Sequence, residues 1–326
     1  MLGNAHAQLD DIGVLLQGGA SDATALTRAY LSPLATGLSA GFNSGWNGSA
    51  RPRKPLGFSI ELRTSLAFVP SNRQTFDINS LGLTNLRLQA GEDNIAQTIA
   101  GSDSDGPVLD IIGGDPGMEQ ILGNIQLPTG TGFNFAPAPM LQAGLGLIRS
   151  TDVTVRYIPE TDIGDFGNIG LIGGAIKTEI TDWFPAGKLL PVDISLQIGI
   201  TQVDLTANLD AAGGDNQEVE ISNNSYVVNA LVGKSLPFIS LYAGVGLQGG
   251  SFDVDVVGDF DVETVVGGIR QVNTISDPIS FSEDSEVNGH LLGGFRLKLG
   301  FLSIFVEGTV SEYSTINGGI GFGFRN

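Results

Sequence analysis

Across 326 residues the chain carries 35 acidic and 16 basic side chains, a formal charge of −19, no cysteine and 47 glycines. Disulfides, thiol nucleophiles and thiolate metal sites are thereby excluded, and an isoelectric point near 4.2 argues against nucleic acid as a partner, because phosphate neutralisation needs Lys and Arg. Apolar residues at 41% with only 16% charged do not describe an acidic disordered tail, and the glycines keep no collagen period.

At the N-terminus Ala5-His6-Ala7, followed by Gln8, has the small-x-small form of a signal-peptidase site, so residues 1–7 read as the remnant of a signal peptide. Residues 9–46 do not alternate. Ser21 is placed to cap a helix begun by Asp22-Ala23-Thr24, with Leu26, Tyr30 and Leu31 as its apolar side, and Ser32-Pro33 opens a second turn-prone segment. The cluster Arg51-Pro52-Arg53-Lys54-Pro55 reads as a solvated linker, with an anchor on anionic head groups as the alternative.

Beyond residue 56 the pattern is period two. From Val192 to Thr201 one face reads Val192, Ile194, Leu196, Ile198 and Ile200, and the other Asp193, Ser195, Gln197, Gly199 and Thr201. Leu302, Ile304, Val306 and Val310 oppose Ser303, Phe305, Glu307 and Thr309 in the same way. The spacing predicts strands over 57–69, 82–90, 118–127, 139–148, 151–158, 166–180, 191–207, 224–234, 238–252, 287–299, 301–313 and 316–325, twelve in all, or fourteen if segments near 74–79, 107–112 or 260–275 also pair. Two uncharged stretches, Gln120–Ile148 and Ser235–Phe252, are long enough for membrane helices, but their prolines and glycines argue against helix.

Many of these strands have the ~9–11 residues a tilted membrane strand needs. Turns at Arg149-Ser150, Ser235-Leu236-Pro237 and Gly300 are tight, while 208–223 and 253–286 are long and acidic, an alternation expected of an outer-membrane barrel with short turns at one mouth. A soluble β-sandwich is the competing architecture, favoured by an aromatic content of only 7%. Against it, the polar face is rich in Gly, Ser, Thr and Gln rather than Lys and Glu. The expected fold is all-β: an antiparallel transmembrane barrel of about twelve, or fourteen, strands over residues 56–326, in the bacterial outer membrane. Residues 8–55 are expected to form a helical plug or mouth cap, since a wide barrel leaves a lumen unless something fills it.

Asn317-Gly318-Gly319-Ile320-Gly321-Phe322-Gly323-Phe324 fits polar-x-Gly-x-x-apolar-x-aromatic. It resembles the insertion signal, here Asn317, Gly319, Phe322 and Phe324, that the barrel-assembly machinery recognises on a last strand, although Arg325 and Asn326 follow it. Further, Tyr30-Leu31-Ser32-Pro33-Leu34, Gly41-Phe42-Asn43-Ser44-Gly45-Trp46, Leu56-Gly57-Phe58 and Thr154-Val155-Arg156-Tyr157-Ile158-Pro159 resemble an uncharacterised domain family of predicted outer-membrane barrels. In architecture alone, a helical hatch before 12–14 strands is similar to the long-chain fatty-acid transporter type of barrel, and that likeness implies diffusion of a hydrophobic molecule.

Parity places Glu61, Asp152, Glu179, Asp193 and Glu307 with Arg63, Arg156, Lys177, Arg296 and Lys298 on the lumen face, together with His290. Five acids against five bases imply cross-lumen ion pairs and a plugged or narrow barrel rather than a strongly ion-selective pore. A hydrolase would need a Ser-His pair with an orienting third group; His290, with Ser240 or Ser303 on neighbouring strands, is the only candidate, and a lone lumen histidine reads as a hydrogen-bonded wall residue, so no enzyme is expected. Asp253, Asp255, Asp259 and Asp261 are weak oxygen donors for calcium, but they do not match the EF-hand spacing, and no cofactor is expected. The expected function is passage of a small solute, hydrophobic as the transporter likeness implies, through a plugged lumen, in contact with outer-membrane lipid. The alternative is a structural or partner-binding barrel that moves nothing. The whole net charge falls within 92–119, 208–220 and 251–286.

Overall fold

In the computed structural model the described residues are 12–114, 119–162, 164, 167–183, 190–209, 217–266 and 269–324. The signal-peptide reading of residues 1–7 lies outside them. A one-turn helix α1 (Ile12–Leu15) precedes α2 (Ala20–Asn43), after which come β1 (Phe58–Phe68), β2 (Thr75–Asp77), β3 (Leu86–Leu88), β4 (Ile95–Gln97), β5 (Val108–Gly113) and β6 (Gln120–Gln126). Then follow β7 (Phe135–Gly146), β8 (Thr151–Asp162), β9 (Asn168–Glu179), β10 (Asp193–Asn208), β11 (Glu218–Ser235) and β12 (Ile239–Val257). The chain closes with β13 (Asp259–Val266), β14 (Ile269–Ser276), β15 (Ile279–Leu299), β16 (Leu302–Val310) and β17 (Thr315–Phe324).

Ten strands form a closed antiparallel barrel in the order β1-β17-β16-β15-β12-β11-β10-β9-β8-β7. The expectation of twelve or fourteen is corrected. Segments 82–90 and 118–127 do alternate, but only residues 86–88 and 120–126 become strands, and both pair with β5 in a separate three-stranded sheet. They are too short to run the height of the wall, and β1 pairs directly with β7, so the whole of 69–134 is an insertion at one mouth. The weak segments at 74–79 and 260–275 likewise form small sheets outside the barrel, β2·β4 and β13·β14.

The mouths differ. At the turn end lie 147–150, 180–183, 190–192, 236–238 and 300–301, with the end of β17; Arg149 and Ser150 both sit at positive φ (60° and 50°), as a tight hairpin turn with matching twist requires. At the loop end lie 69–114, 119–134, 258–266 and 269–278. The supposed long loop 253–286 is mostly strand, and 208–223 is strand at both ends: β10 runs to 208, β11 starts at 218, β12 runs to 257 and β15 begins at 279.

Along the lower part of every barrel strand the apolar residues point outward. In β1 Ile60 and Leu62 are exposed while Ser59, Glu61, Arg63 and Ser65 are buried, and in β10 Leu196, Ile198 and Ile200 are exposed above a buried Ser195, Gln197 and Thr201. Toward the loop end the sense inverts. In β11 the outward residues Tyr226, Val228 and Val232 give way to Glu218, Glu220 and Asn224, while inward Asn229 and Asn223 give way to Ile221 and Val219. Likewise β12 turns Phe252, Val254 and Val256 inward and Asp253 and Asp255 toward solvent. Between Tyr226 and Lys234 the nine residues of the belt cover roughly 23 Å at about 3.4 Å rise and ~40° tilt. Aromatic residues are few but placed at its edge: Phe58, Phe238, Phe301, Phe322 and Phe324 are exposed at the turn end, and Phe301 stacks on Phe322 at 5.9 Å.

Above the inversion the barrel holds an ordinary apolar core. Phe252, Val254, Val256, Ile279 and Phe281 of the wall pack with Leu26, Tyr30 and Leu31 of α2 and with Leu86, Leu109 and Ile125 of the inserted sheet. Asp22 fixes that sheet, accepting hydrogen bonds from Thr84 N, Thr84 Oγ1, Asn85 N and Leu86 N at 2.7–3.0 Å. The helix is not capped by Ser21; its cap is Gly19, without a side-chain bond. Nor does it stop at Ser32-Pro33, for it continues through Pro33 to Asn43 with Ser32 Oγ bonded to Arg28 O at 2.7 Å. The proline costs one backbone bond, and packing on both sides of it holds the helix together. Truncating Phe252, fully buried in this core, to Ala is expected to cost about 3–5 kcal/mol. The check is limited proteolysis, in which residues 69–134 become cleavable at lower temperature while the barrel keeps its heat-modifiable gel mobility.

Candidate functional site: the filled lumen

Eight strands already leave an interior just wide enough for side chains, so ten leave a shaft. Residues 34–54 occupy it. The second half of α2 enters from the loop end against β7, close enough that a Cβ on Gly37 or Gly41 would lie 3.0 and 2.8 Å from the methyl groups of Ala136 and Ala138. Below Asn43 the chain runs extended to the turn end and enters β1.

Nearly every residue of that extended run bonds to the wall, to β1, β8, β9, β10, β12 or β16. Asn43 Nδ2 donates to Gly249 O (3.0 Å), Ser44 Oγ meets Ser65 Oγ (2.7 Å), and Gly45 N donates to Glu307 Oε1 (2.8 Å). Trp46 lies beneath the Arg156 guanidinium, 3.6 Å from ring centre to Cζ, while Arg156 donates to the carbonyls of Phe42 (2.6 Å) and Ser44 (2.8 Å) and to Gln142. Asn47 donates to Gln197, Lys177 Nζ to Ser49 O (3.1 Å) and Ser195 Oγ to Ala50 O (2.7 Å). Arg51 pairs with Asp193 at 2.8 Å.

Glu61 is the hub. It is fully buried, with Arg63 and Arg296 each at 2.6 Å, Arg53 at 3.6 Å and Gln142 donating at 2.9 Å. Arg53 also bridges to Asp152 (3.2 Å), which accepts the Arg53 backbone N–H at 2.8 Å and faces Lys177 at 3.8 Å. Phe305, on the inward face, carries the Arg63 guanidinium at 3.7 Å and Arg296 at 5.3 Å. Taking charges out of water costs several kcal/mol per ion unless each is paired and hydrogen-bonded, and here inner segment and wall supply the partners for one another.

The inward glycines make this room. A side chain at Gly144 would collide with Arg53, at Gly199 with Trp46, and at Gly48 with Arg296. Gly45, at φ 71°, rests on Asn317, whose Oδ1 accepts from Arg63 at 3.3 Å.

All eleven residues assigned to the lumen by parity face inward, and most of them meet. Glu61, Arg63, Asp152, Arg156, Lys177, Asp193, Arg296 and Glu307 join the network, Glu307 also accepting from Tyr242 OH at 2.9 Å. Glu179 lies half-buried beside Ser195 near the turn end, and Lys298 lines a vestibule of about 370 Å³ there with Arg51 and Lys54. At the opposite mouth a crevice of about 260 Å³ beside α2 is lined by Glu283, Glu286, Glu312 and Tyr313, whose hydroxyl burial pushes up to about 12. His290 Nε2 bonds Asn229 Oδ1 at 2.7 Å rather than a serine, while Ser240 and Ser303 bond elsewhere. Asp253, Asp259 and Asp261 accept from Ser282, Ser276 and Thr274 along outward strand faces, and no convergent metal-binding group occurs among the described residues. Leu26, Tyr30 and Leu31 sit above the shaft, in the loop-end core rather than in the lumen. Asn317 and Gly319 point inward, Phe322 and Phe324 outward. The run was expected within a helical plug over 8–55; below Asn43 it is extended instead, and Arg51 and Arg53, which read as linker, complete the ion pairs.

A closed antiparallel barrel, apolar outside and filled by its own charged and hydrogen-bonded N-terminal segment, defines the class. The chain belongs to a family of unknown function, DUF6588, whose model matches residues 1–324. No curated protein matches it significantly. Among solved structures it is similar to the attachment invasion locus protein Ail of Yersinia pestis (9% identity over 82% of this chain and 97% of that one, TM-score 0.26). It is also similar to the translocator domain of the autotransporter NalP from Neisseria meningitidis (10%, 91% and 93%, TM-score 0.31) and to the toluene transporter TbuX of Ralstonia pickettii (8%, 86% and 96%, TM-score 0.22). Scores this low carry no argument about activity.

Removing the hub carboxylate by Glu61→Ala leaves three guanidinium groups facing one another and is expected to cost about 3–5 kcal/mol. The midpoint of heat modifiability should fall sharply, whereas the paired change Glu61→Leu with Arg63→Leu should recover part of the loss.

Proposed function

We propose that the chain is an outer-membrane barrel whose residues 34–54 act as a plug, and that it controls passage of a small solute without chemistry. One observation carries this reading: the shaft is lined mainly by charged and polar side chains and is closed by polar bonds, its apolar contacts being confined to small clusters at Phe42, Met140, Leu171 and Val203 and at Ala50, Leu231, Tyr242 and Leu292, so displacing the plug would open a largely wetted path. The apolar belt and its aromatic edge support a bilayer location, and the C-terminal strand, with Phe322 and Phe324 outward, has the form the assembly machinery reads. A polar shaft favours small polar solutes over the hydrophobic cargo expected from the sequence. The second reading, a structural or partner-binding barrel, draws on the acidic, folded cap built from 69–134.

Planar-bilayer recording separates them. The full chain is expected to stay closed, and a variant lacking residues 12–54, folded by heat-modifiability, to show conductance steps; a folded but silent deletion variant would leave only the partner-binding reading. The bilayer placement has its own check. Ile198→Arg, in the belt, should cost about 2–4 kcal/mol in urea-monitored folding into lipid vesicles, while Asp204→Arg, outward on the same strand above the inversion, should stay within about 0.5 kcal/mol.

A further inference from the structure

The strand registers line up five residues in one row across the wall: Gly173 faces Thr201, Thr201 faces Ser225, Ser225 faces Gly250, and Gly250 faces Ser285. All five turn inward and all are small, so on the outer surface this row presents only backbone. A cavity of about 890 Å³ lies over it, outside the barrel. The register of β12 against β15 shifts at this level, between Gln248 and Gly250, and such a bulge bends the strand.

The two banks of the groove differ in kind. On the loop side stand Gln202, Asn224, Ser251 and Asp284, again one row in register, with the exposed Ile172 at its far end beside Gln202, and on the turn side Val155, Ile200, Tyr226 and Val287. The groove thus follows the line at which the outward face changes from apolar to polar. No Lys or Arg lines it, and Asp204 and Asp253 stand one outward position above the polar bank, so the only charged groups an anionic head group would meet there are carboxylates.

We propose that this groove seats a single lipid bearing an ammonium head group, of the phosphatidylethanolamine kind. Its ammonium is held by Asp284 with Asn224 and Gln202, and its first methylenes lie on Ile200, Tyr226 and Val287. The inference requires the barrel to stand in a bilayer, but it is independent of whether the plug moves. Two variants address it. Gly174→Trp fills the apolar bank from a position where an added Cβ meets nothing nearer than Thr154 O at 4.0 Å, and Asp284→Lys, at an exposed site, reverses the charge of the polar bank.

The test is native mass spectrometry of the full chain in detergent, titrated in parallel with phosphatidylethanolamine and phosphatidylglycerol. Wild type should retain one phosphatidylethanolamine with about ten-fold preference over phosphatidylglycerol, the scale of one lost charged hydrogen bond. Asp284→Lys should abolish or invert that preference, and Gly174→Trp should lose both lipids. Equal retention of the two lipids by wild type, or unchanged retention in Asp284→Lys, overturns the proposal. So does a lipid-free dimer, which would assign the groove to a second copy. Should Gly174→Trp fail to fold, Asp284→Lys still decides.

Discussion

A buried carboxylate stays ionised only where cations and hydrogen-bond donors replace its water, and Glu61 sits at such a place, with Arg63, Arg296 and Arg53 around it. Two of those arginines belong to the wall and one to the inner segment. Arg53 therefore cannot leave without exposing Glu61 and Asp152, and a wall emptied of the inner segment must hydrate its own charges with water. The glycines that clear space for Arg53, Trp46 and Arg296 follow from the same requirement.

The second organising feature is a change of sense along single strands. One sheet serves two solvents: below the inversion it hides polar side chains and shows apolar ones, and above it the reverse. In β11 the switch falls at Asn223 and Asn224, and in β12 next to the paired glycines Gly249 and Gly250. The consequence is two interiors in one molecule, a polar one joined by ion pairs and an apolar one joined by Phe252, Tyr30 and Leu109. Helix α2 passes through both, placing Leu26, Tyr30 and Leu31 in the apolar one and packing Gly37 and Gly41 closely on β7 lower down. The acidity of the sequence belongs to the upper structure, on the outward faces of the extended strands and in the insertion.

Much of this was legible in the residues. Period-two alternation located all ten wall strands, and parity alone put Glu61, Arg63, Arg156 and Glu307 on the inner face, because the pleat allows no other choice. What failed had physical causes. Segments 82–90 and 118–127 alternate like wall strands, but alternation is local and cannot say which strand a segment pairs with. Strand ends were placed too low in β11, β12 and β15, since the inversion of sense looks like the onset of an acidic loop. The count of charges weighed strand residues only, so Arg51 and Arg53 were left out. A run of small and polar residues between a helix and the first strand, Asn43 to Ala50, was the available sign that the chain lies inside a polar shaft.

The absence of cysteine makes the central claim directly testable. Ser44 of the inner run and Ser65 of β1 bring their hydroxyls within 2.7 Å deep in the lumen. The variant carrying Ser44→Cys and Ser65→Cys, inserted in membranes and mildly oxidised, is predicted to form an intramolecular disulfide in nearly every molecule and to lose reactivity toward maleimide. Two free thiols that label readily in the folded, heat-modifiable protein would show that residues 34–54 do not fill the barrel.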